Sequence, residues 1–369
     1  MLKSLRRAAA PLLVVSLCVS AAHFAAAQET PQQKYVISVE RIWDRAQHNA
    51  FTDIIEYKGL IYCAFREGSG HIPGLNGTIR ILRRARRSDS WESVGLLQEQ
   101  HVDLRDPKLS ITPAGDLMIN MGASYYHGSE RKKIESRVCV AKLDDGPGVT
   151  PFGARPLQFG PLQKVEFPEK LVSNTDWLWR ITWHKGVAYG CLQQSLYQPA
   201  QHVLRSEDGV KWEHLATLDV PDATETTLRF AEDDTMIAMI RRDAKSGDSV
   251  GYIGTAKPPY AEWQLKASNK RFGGPDFMQL PSGKWLAGSR GHDKTVSTQL
   301  WWLHPESGEV TEIVTLPSGG DTSYPGFVLY QPERPTLPAE LLVSYYSSHE
   351  GKSAIYLATL RLEALESGE

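Results

Sequence analysis

An all-β fold is the expectation, and three observations carry it. The 369-residue chain holds 30 Gly, 14 Tyr and 10 Trp, a composition of strands and turns, with few Ala- or Leu-rich helical runs. Short apolar runs come in pairs, each pair joined by a turn. The pairs recur with a period of about fifty-five residues, the signature of a repeat architecture. With 41% hydrophobic and 23% charged residues the chain is globular and can bury a large core.

Residues 1–27 stand outside this pattern. Lys3, Arg6 and Arg7 precede an apolar stretch from Ala8 to Ala22, and Ala25, Ala26 and Ala27 precede the polar Gln28. This is the layout of a cleaved secretory signal peptide, with an apolar stretch too short for a typical spanning helix. Leu17 before Cys18 does not match the small residue of a lipoprotein signal, so no membrane anchor is expected. The mature chain, 28–369, is expected to be one domain, exported to a periplasm or an extracellular space.

The hairpins then follow in order. Phe51 to Arg66 turns at Gly59, Pro107 to Gly122 at Gly115, Trp179 to Cys191 at Gly186, Thr227 to Arg241 at Asp234, and Asp276 to Arg290 at Gly283. The sixth, Gly326 to Tyr346, has a longer Pro-rich turn before Glu340. Further strands follow from Thr78, Arg137, His202, Gly251, Thr298 and Ala354, and outermost ones near Trp91, Trp212 and Trp263. The early run Tyr35 to Val39 is placed in the last blade, closing the ring and hiding its edges. The prediction is a six-bladed β-propeller of four-stranded antiparallel blades. The wide interval between Gly115 and Gly186 has room for an insertion, with five or seven blades as alternatives.

A net charge of −2 with both signs interspersed gives no basic face for nucleic acid or a membrane surface, so neither is an expected partner. After removal of Cys18 with the leader, Cys63, Cys139 and Cys191 remain, enough for one disulfide at most. Cys63 and Cys191 lie in apolar runs and read as small buried hydrophobes. No Cys-x-x-Cys or close His/Asp cluster has metal-ligand spacing, so no metal and no cofactor is predicted. A monomer is expected.

Ser206, Asp208, Gly209 and Trp212 look like a shortened Asp-box, with Ser88, Asp89, Ser90 and Trp91 a degraded copy. With the positions that follow, they make the chain resemble the sialidase superfamily over most of residues 35–362. In retaining sialidases the fourth blade opens with a Glu and its hairpin ends in an Arg, matching Glu225 and Arg241 here. A second Arg falls on Arg290, and the Tyr that opens the last blade falls on Tyr324. The resemblance implies Tyr324 as nucleophile, Glu225 as its activating base, and Arg241 and Arg290 as carboxylate ligands. Two departures stand out. Phe51, Thr52, Asp53 and Ile54 replace the family's first-blade Arg motif, and the acid/base Asp has no match, Glu67 and His71 being offered instead.

The residues support this chemistry on their own terms. Inner strands of a propeller converge on a central channel, so strand openings and hairpin ends share one mouth. That ring collects His48, Asn49, Asp53, Arg66, Glu67, His71, Arg105, Asp106, Asp176, Trp177, Arg180, Glu225, Arg241, Arg242, Asp276, Arg290, Asp321, Tyr324 and His349. Tyrosine, with a pKa of about 10, needs a base such as Glu225 and nearby guanidinium charge to attack carbon. Arg241 and Arg290 can grip a carboxylate bidentately. Arg66, Arg105, Asp53 and His48 are further binding candidates, with Trp177 as a sugar-stacking platform. His71 is the first candidate for giving a proton to a leaving oxygen, and Glu67 the second.

The expected function is that of an exported exo-acting glycoside hydrolase releasing a terminal acidic sugar from a glycan. A polysaccharide lyase acting on uronates and a non-catalytic glycan-binding propeller are the alternatives.

Overall fold

The computed structural model describes residues 30–72, 77–85, 88, 90–144, 155–194, 201–244, 247–330 and 338–367. The proposed leader lies outside them, as does Asp89. A short helix α1 (Pro31–Tyr35) leads into β1 (Val36–Trp43). Blade 1 is β2 (His48–Tyr57), β3 (Leu60–Gly68), β4 (Thr78–Ala85) and β5 (Glu92–Leu97). Blade 2 is β6 (Asp103–Ile111), β7 (Leu117–His127) and β8 (Glu130–Leu143), with β9 (Leu157–Phe159) and β10 (Gln163–Lys164) both pairing β8. Blade 3 has a split inner strand, β11 (Asp176–Leu178) and β12 (Thr182–His184), then β13 (Val187–Gln194), β14 (Gln201–Ser206) and β15 (Glu213–Leu218).

Blade 4 is β16 (Ala223–Phe230), β17 (Met236–Arg242), β18 (Val250–Ala256) and β19 (Gln264–Arg271). Blade 5 is β20 (Asp276–Gln279), β21 (Trp285–His292), β22 (Val296–His304) and β23 (Glu309–Leu316). Blade 6 is β24 (Thr322–Tyr330), β25 (Glu340–Ser347) and β26 (Ala354–Arg361), completed by β1 from the other end of the chain. The protein is thus a six-bladed propeller, closed as expected. The interval between Gly115 and Gly186 holds no further blade among the described residues, and the outer strand of blade 2 is split, β9 pairing Ala141–Leu143 and β10 pairing Arg137–Val138 along one edge of β8.

Local chemistry explains the blades. The hairpin markers Gly59, Gly115, Gly186, Asp234 and Gly283 all take positive φ, the left-handed turn conformation that glycine reaches without strain. Between blades, apolar faces interlock: Phe51, Ile54 and Phe65 of blade 1 share a cluster with Tyr324, Leu342 and Ile355 of blade 6. Burial of such side chains contributes about 25 cal/mol per Å2 of apolar surface. Cys63, Cys139 and Cys191 are all free and buried. In the Ser206 turn, the Ser206 hydroxyl accepts from Gly209 N at 2.8 Å and Asp208 from Lys211 N at 2.8 Å. Trp212 then packs between blades 2 and 3 with Met118 and Leu178. No helix among the described residues is long and apolar enough to cross a membrane.

The channel axis is filled by charge. Asp53 of blade 1 accepts from Leu109 N of blade 2 at 2.7 Å and from Arg180 of blade 3 at 2.8 Å. Arg180 reaches on to Asp276 of blade 5 at 3.1 Å, and Arg229 of blade 4 meets Asp276 at 2.6 Å. Gly326 of blade 6 lies against Asp53, where an added Cβ would stand 2.6 Å from the carboxylate oxygen. Arg180→Ala would strand Asp53 and Asp276 as poorly compensated buried carboxylates, and is expected to cost about 3–5 kcal/mol. A shift of the urea midpoint reads this directly; an unchanged midpoint would refute the structural role of the bridge.

Candidate active site at the mouth

Four inner strands carry a bulge at the mouth end of the channel. Pairing slips between Ala50 and Asp53, Arg105 and Lys108, Ala223 and Thr226, and Ser323 and Gly326. In three of these bulges a non-glycine residue sits in the left-handed region, Phe51 at φ 62°, Asp106 at 53° and Tyr324 at 55°. Such residues cost about 1–3 kcal/mol each unless held by their surroundings. Tyr324 is held: Thr52 donates to its carbonyl at 2.8 Å, and Arg290 donates to the neighbouring Thr322 carbonyl at 2.9 Å.

The bulge aims Tyr324 at blade 4. Its hydroxyl donates to Glu225 Oε1 at 2.6 Å, and Arg241 Nη1 lies 3.0 Å from the same phenol oxygen. Arg241 also pairs with Glu225 Oε2 at 2.8 Å, and Gly274 N donates to that oxygen at 2.8 Å. Burial, reinforced by the Glu225 charge, holds the Tyr324 hydroxyl far above its ordinary pKa, against the pull of Arg241 and Arg290. The resting phenol therefore keeps its proton, shared with a carboxylate placed to receive it. Trp179 packs edge-on to Tyr324 with ring centroids 5.7 Å apart, and Phe51 does the same at 5.2 Å.

A second cluster forms around Asp321. His48 Nε2 and His71 Nδ1 both contact Asp321 Oδ2, at 2.8 and 2.7 Å, while Tyr346 donates to Oδ1 at 2.7 Å. Against the upward push of burial, bonds from His48, His71 and Tyr346 hold the Asp321 carboxyl well below the usual carboxylate range. With Nδ1 committed to Asp321, His71 presents Nε2 to the mouth, and its side chain is 40% exposed. Burial pulls the His48 pKa down, partly offset by Asp321.

This cluster corrects one expectation. The ligand atoms of His48, His71 and Asp321 lie within 4.8 Å of one another, a metal-capable grouping that sequence spacing did not reveal. The surroundings favour hydrogen bonding over a dication. Arg66 Nη1 stands 3.5 Å from His48 Nδ1, which directs the Nε2 proton of His48 toward Asp321, and Arg290 Nη2 lies 3.6 Å from the carboxylate.

Other expected site residues are placed elsewhere. Glu67 follows Arg66 on β3 and so faces the opposite side of the sheet, where it binds Trp43 Nε1 at 2.6 Å and Arg80 at 2.8 Å. Arg66 is fully buried, donating to Asp103 at 2.7 Å and to the Gly70 carbonyl at 2.9 Å. It supports His48 and the loop carrying His71 without reaching solvent. Asp53 belongs to the channel axis. Trp177 is buried in a core cluster against Gly122, and Trp179 is the tryptophan beside Tyr324. Arg105 is nearly as buried as Arg66, pairing with Asp106 at 3.2 Å and Asp103 at 3.5 Å, with its guanidinium 4.9 Å from the Phe51 ring. Tyr346, Arg271 and His292 were not anticipated.

Comparison with known proteins fits this picture at the level of fold. No family model matches the chain, and no curated protein matches it in sequence. A protein of unknown function from Dyadobacter fermentans superposes with a TM-score of 0.68 at 18% identity, covering 88% of this chain and 98% of that one. Trypanosoma rangeli sialidase gives 0.65 at 11% identity, over 87% of this chain and 56% of its own length. A Penicillium chrysogenum alpha-L-arabinanase, solved with arabinobiose, gives 0.62 at 12% identity over 89% and 99%. The neighbours thus include glycoside hydrolases.

The arginines near His292 have a measurable signature. Burial, then Arg271, Arg290 and Arg241, push His292 down to about 4. An unfolded histidine takes up its proton near pH 6.5, so the unfolded state binds more protons between these values. The stability that His292 confers is complete above about pH 6.5 and is lost as pH falls toward about 4. His292→Gln should therefore show a shallower fall in melting temperature across that window than wild type; equal slopes would refute the assignment.

Proposed function

We propose that this protein is an exported, exo-acting glycoside hydrolase that releases a terminal acidic sugar. The observation that carries the reading is the 2.6 Å contact from Tyr324 to Glu225, with Arg241 on the same phenol oxygen at 3.0 Å. In the first step Glu225 takes the Tyr324 proton while the phenol oxygen bonds to the anomeric carbon and the glycosidic bond breaks. His71, oriented by Asp321, gives a proton to the departing oxygen. In the second step His71 takes a proton from water, whose oxygen attacks the same carbon, and the phenol leaves with its proton returned by Glu225. Arg241 and Arg290 offset the negative charge that develops at the phenol.

The resemblance in the catalytic motifs and the fold shared with a sialidase and an arabinanase support a glycan substrate. The leader-like N-terminus supports export, and the chain is proposed to act as a monomer.

Tyr324→Phe is expected to abolish sugar release from a panel of sialosides and uronate-bearing oligosaccharides, with the fold retained by circular dichroism. Gain of ultraviolet absorbance by the wild type would instead identify a lyase. Binding without turnover would identify a lectin. His71→Ala should lower turnover by about 10²- to 10⁴-fold on glycosides with alcohol leaving groups. It should spare nitrophenyl glycosides, whose leaving group needs no proton; an equal loss on both would remove His71 as the acid.

A further inference from the structure

The bulge of blade 2 ends on a lysine that no step of the proposed reaction uses. Lys108 follows Asp106 and Pro107 on β6, and it is 1% exposed. Lysine is almost never buried so completely without a partner of opposite charge. The charged groups around Lys108 are Arg180, Asp53, Asp106 and Asp276, and each carboxylate is already held by an arginine. Asp53 pairs with Arg180 at 2.8 Å, Asp106 with Arg105 at 3.2 Å and Asp276 with Arg229 at 2.6 Å. Among the described residues Lys108 forms no salt bridge, and its one hydrogen bond goes to the Thr52 carbonyl at 3.3 Å.

Two aromatic faces complete its surroundings. Lys108 Nζ stands 4.8 Å from the Trp179 ring centroid and 5.5 Å from that of Tyr324. A ring face compensates a buried cation only in part, so the ammonium remains short of negative charge. The charged groups facing Tyr324 are Glu225, Arg241, Arg290 and Asp106, and Glu225 accepts the phenol proton at 2.6 Å. As that proton passes to Glu225, negative charge leaves the carboxylate and spreads over the phenol oxygen and its ring, toward the face that Lys108 occupies.

We infer that Lys108 is a positioning residue that acts through Tyr324, its ammonium stabilising the phenol from beneath while negative charge develops there. Arg241 and Arg290 meet that charge from the mouth, and Lys108 meets it from inside the ring of blades, where burial keeps solvent from screening it. The same lysine is bonded to Thr52, whose hydroxyl donates to the Tyr324 carbonyl at 2.8 Å, so a purely mechanical role has to be separated from the electrostatic one. The inference rests on Tyr324 as the proposed nucleophile, and ionisation at position 324 tests it without turnover.

The proteins are wild type, Lys108→Met, Lys108→Gln and Lys108→Arg, each checked by melting temperature. Met removes the charge, Gln keeps a donor without charge, and Arg keeps both. On alcohol and nitrophenyl glycosides alike, Lys108→Met and Lys108→Gln are expected to lower kcat by about tenfold or more, with KM within about twofold of wild type and partial recovery in Lys108→Arg. Wild-type turnover in Lys108→Gln would assign the effect to the hydrogen bond and overturn the inference. With difluorotyrosine in place of Tyr324, fluorine NMR follows ionisation of the phenol, and its midpoint should rise by about one pH unit in Lys108→Met. An unmoved midpoint overturns the inference. If wild type releases no sugar, the hydrolase reading fails and this midpoint alone decides the role of Lys108. Burial draws the Lys108 pKa down, so its charge is itself an observable. Should neither neutral variant fold, nitrogen NMR of lysine-labelled wild type decides, with the Lys108 signal identified by its loss in Lys108→Arg. An ammonium at about pH 7 is required, and a neutral amine there overturns the inference.

Discussion

The Arg180 guanidinium, suspended between Asp53 and Asp276 on the channel axis, is the contact on which the ring depends. Each blade contributes one part to this knot: a carboxylate, a backbone amide, a guanidinium or the bare surface of Gly326. Buried ion pairs of this kind add little net stability over an apolar filling of the same shape. Their value here is geometric, since a salt bridge accepts one arrangement of its partners where interlocking leucines accept several. The same knot fills the centre of the ring with buried charge. Lys108, buried above it, lies 4.8 Å from the Trp179 ring and 5.5 Å from the Tyr324 ring, joining the knot to the site.

The bulges convert this scaffold into chemistry. A regular inner strand would point alternate side chains across the sheet, none of them up the axis. A slipped pair followed by left-handed backbone turns Phe51, Asp106 and Tyr324 toward one point. The strain is sustained because the carbonyls around Tyr324 are bonded to Thr52 and Arg290. Tyr324, the proposed nucleophile, is held in a costly conformation by its neighbours and would not have to be ordered again when a substrate arrives.

Much of the fold was legible because turn chemistry is local. A Gly or Asp between two apolar runs announces a hairpin, and six hairpins at one period announce a propeller. The split outer strand of blade 2 left no local mark beyond the surplus length of its interval. At the site, Tyr324, Glu225, Arg241 and Arg290 were legible through a family resemblance at matching blade positions, and the structure brings them together. Glu67 and Trp177 were misplaced because the inward face of a strand depends on its register, and one residue reverses it. The His48, His71 and Asp321 cluster joins the two ends of the chain, a proximity that no local spacing records. One usable signal went unread: Pro107 and Pro325 interrupt strand-like runs, and proline inside a strand marks a bulge.

Closure of blade 6 by β1 has a consequence for biosynthesis. The pairing of Val36 with Leu360 cannot form until nearly the whole chain exists. At ordinary translation speeds that delay is on the order of tens of seconds. Throughout it β1 stays unpaired, and once β26 is made the chain carries two complementary sticky edges on one molecule. Neighbouring chains emerging side by side would offer each other the same pair, so rapid capture of β1 by its own β26 is what separates a closed ring from strand exchange between copies.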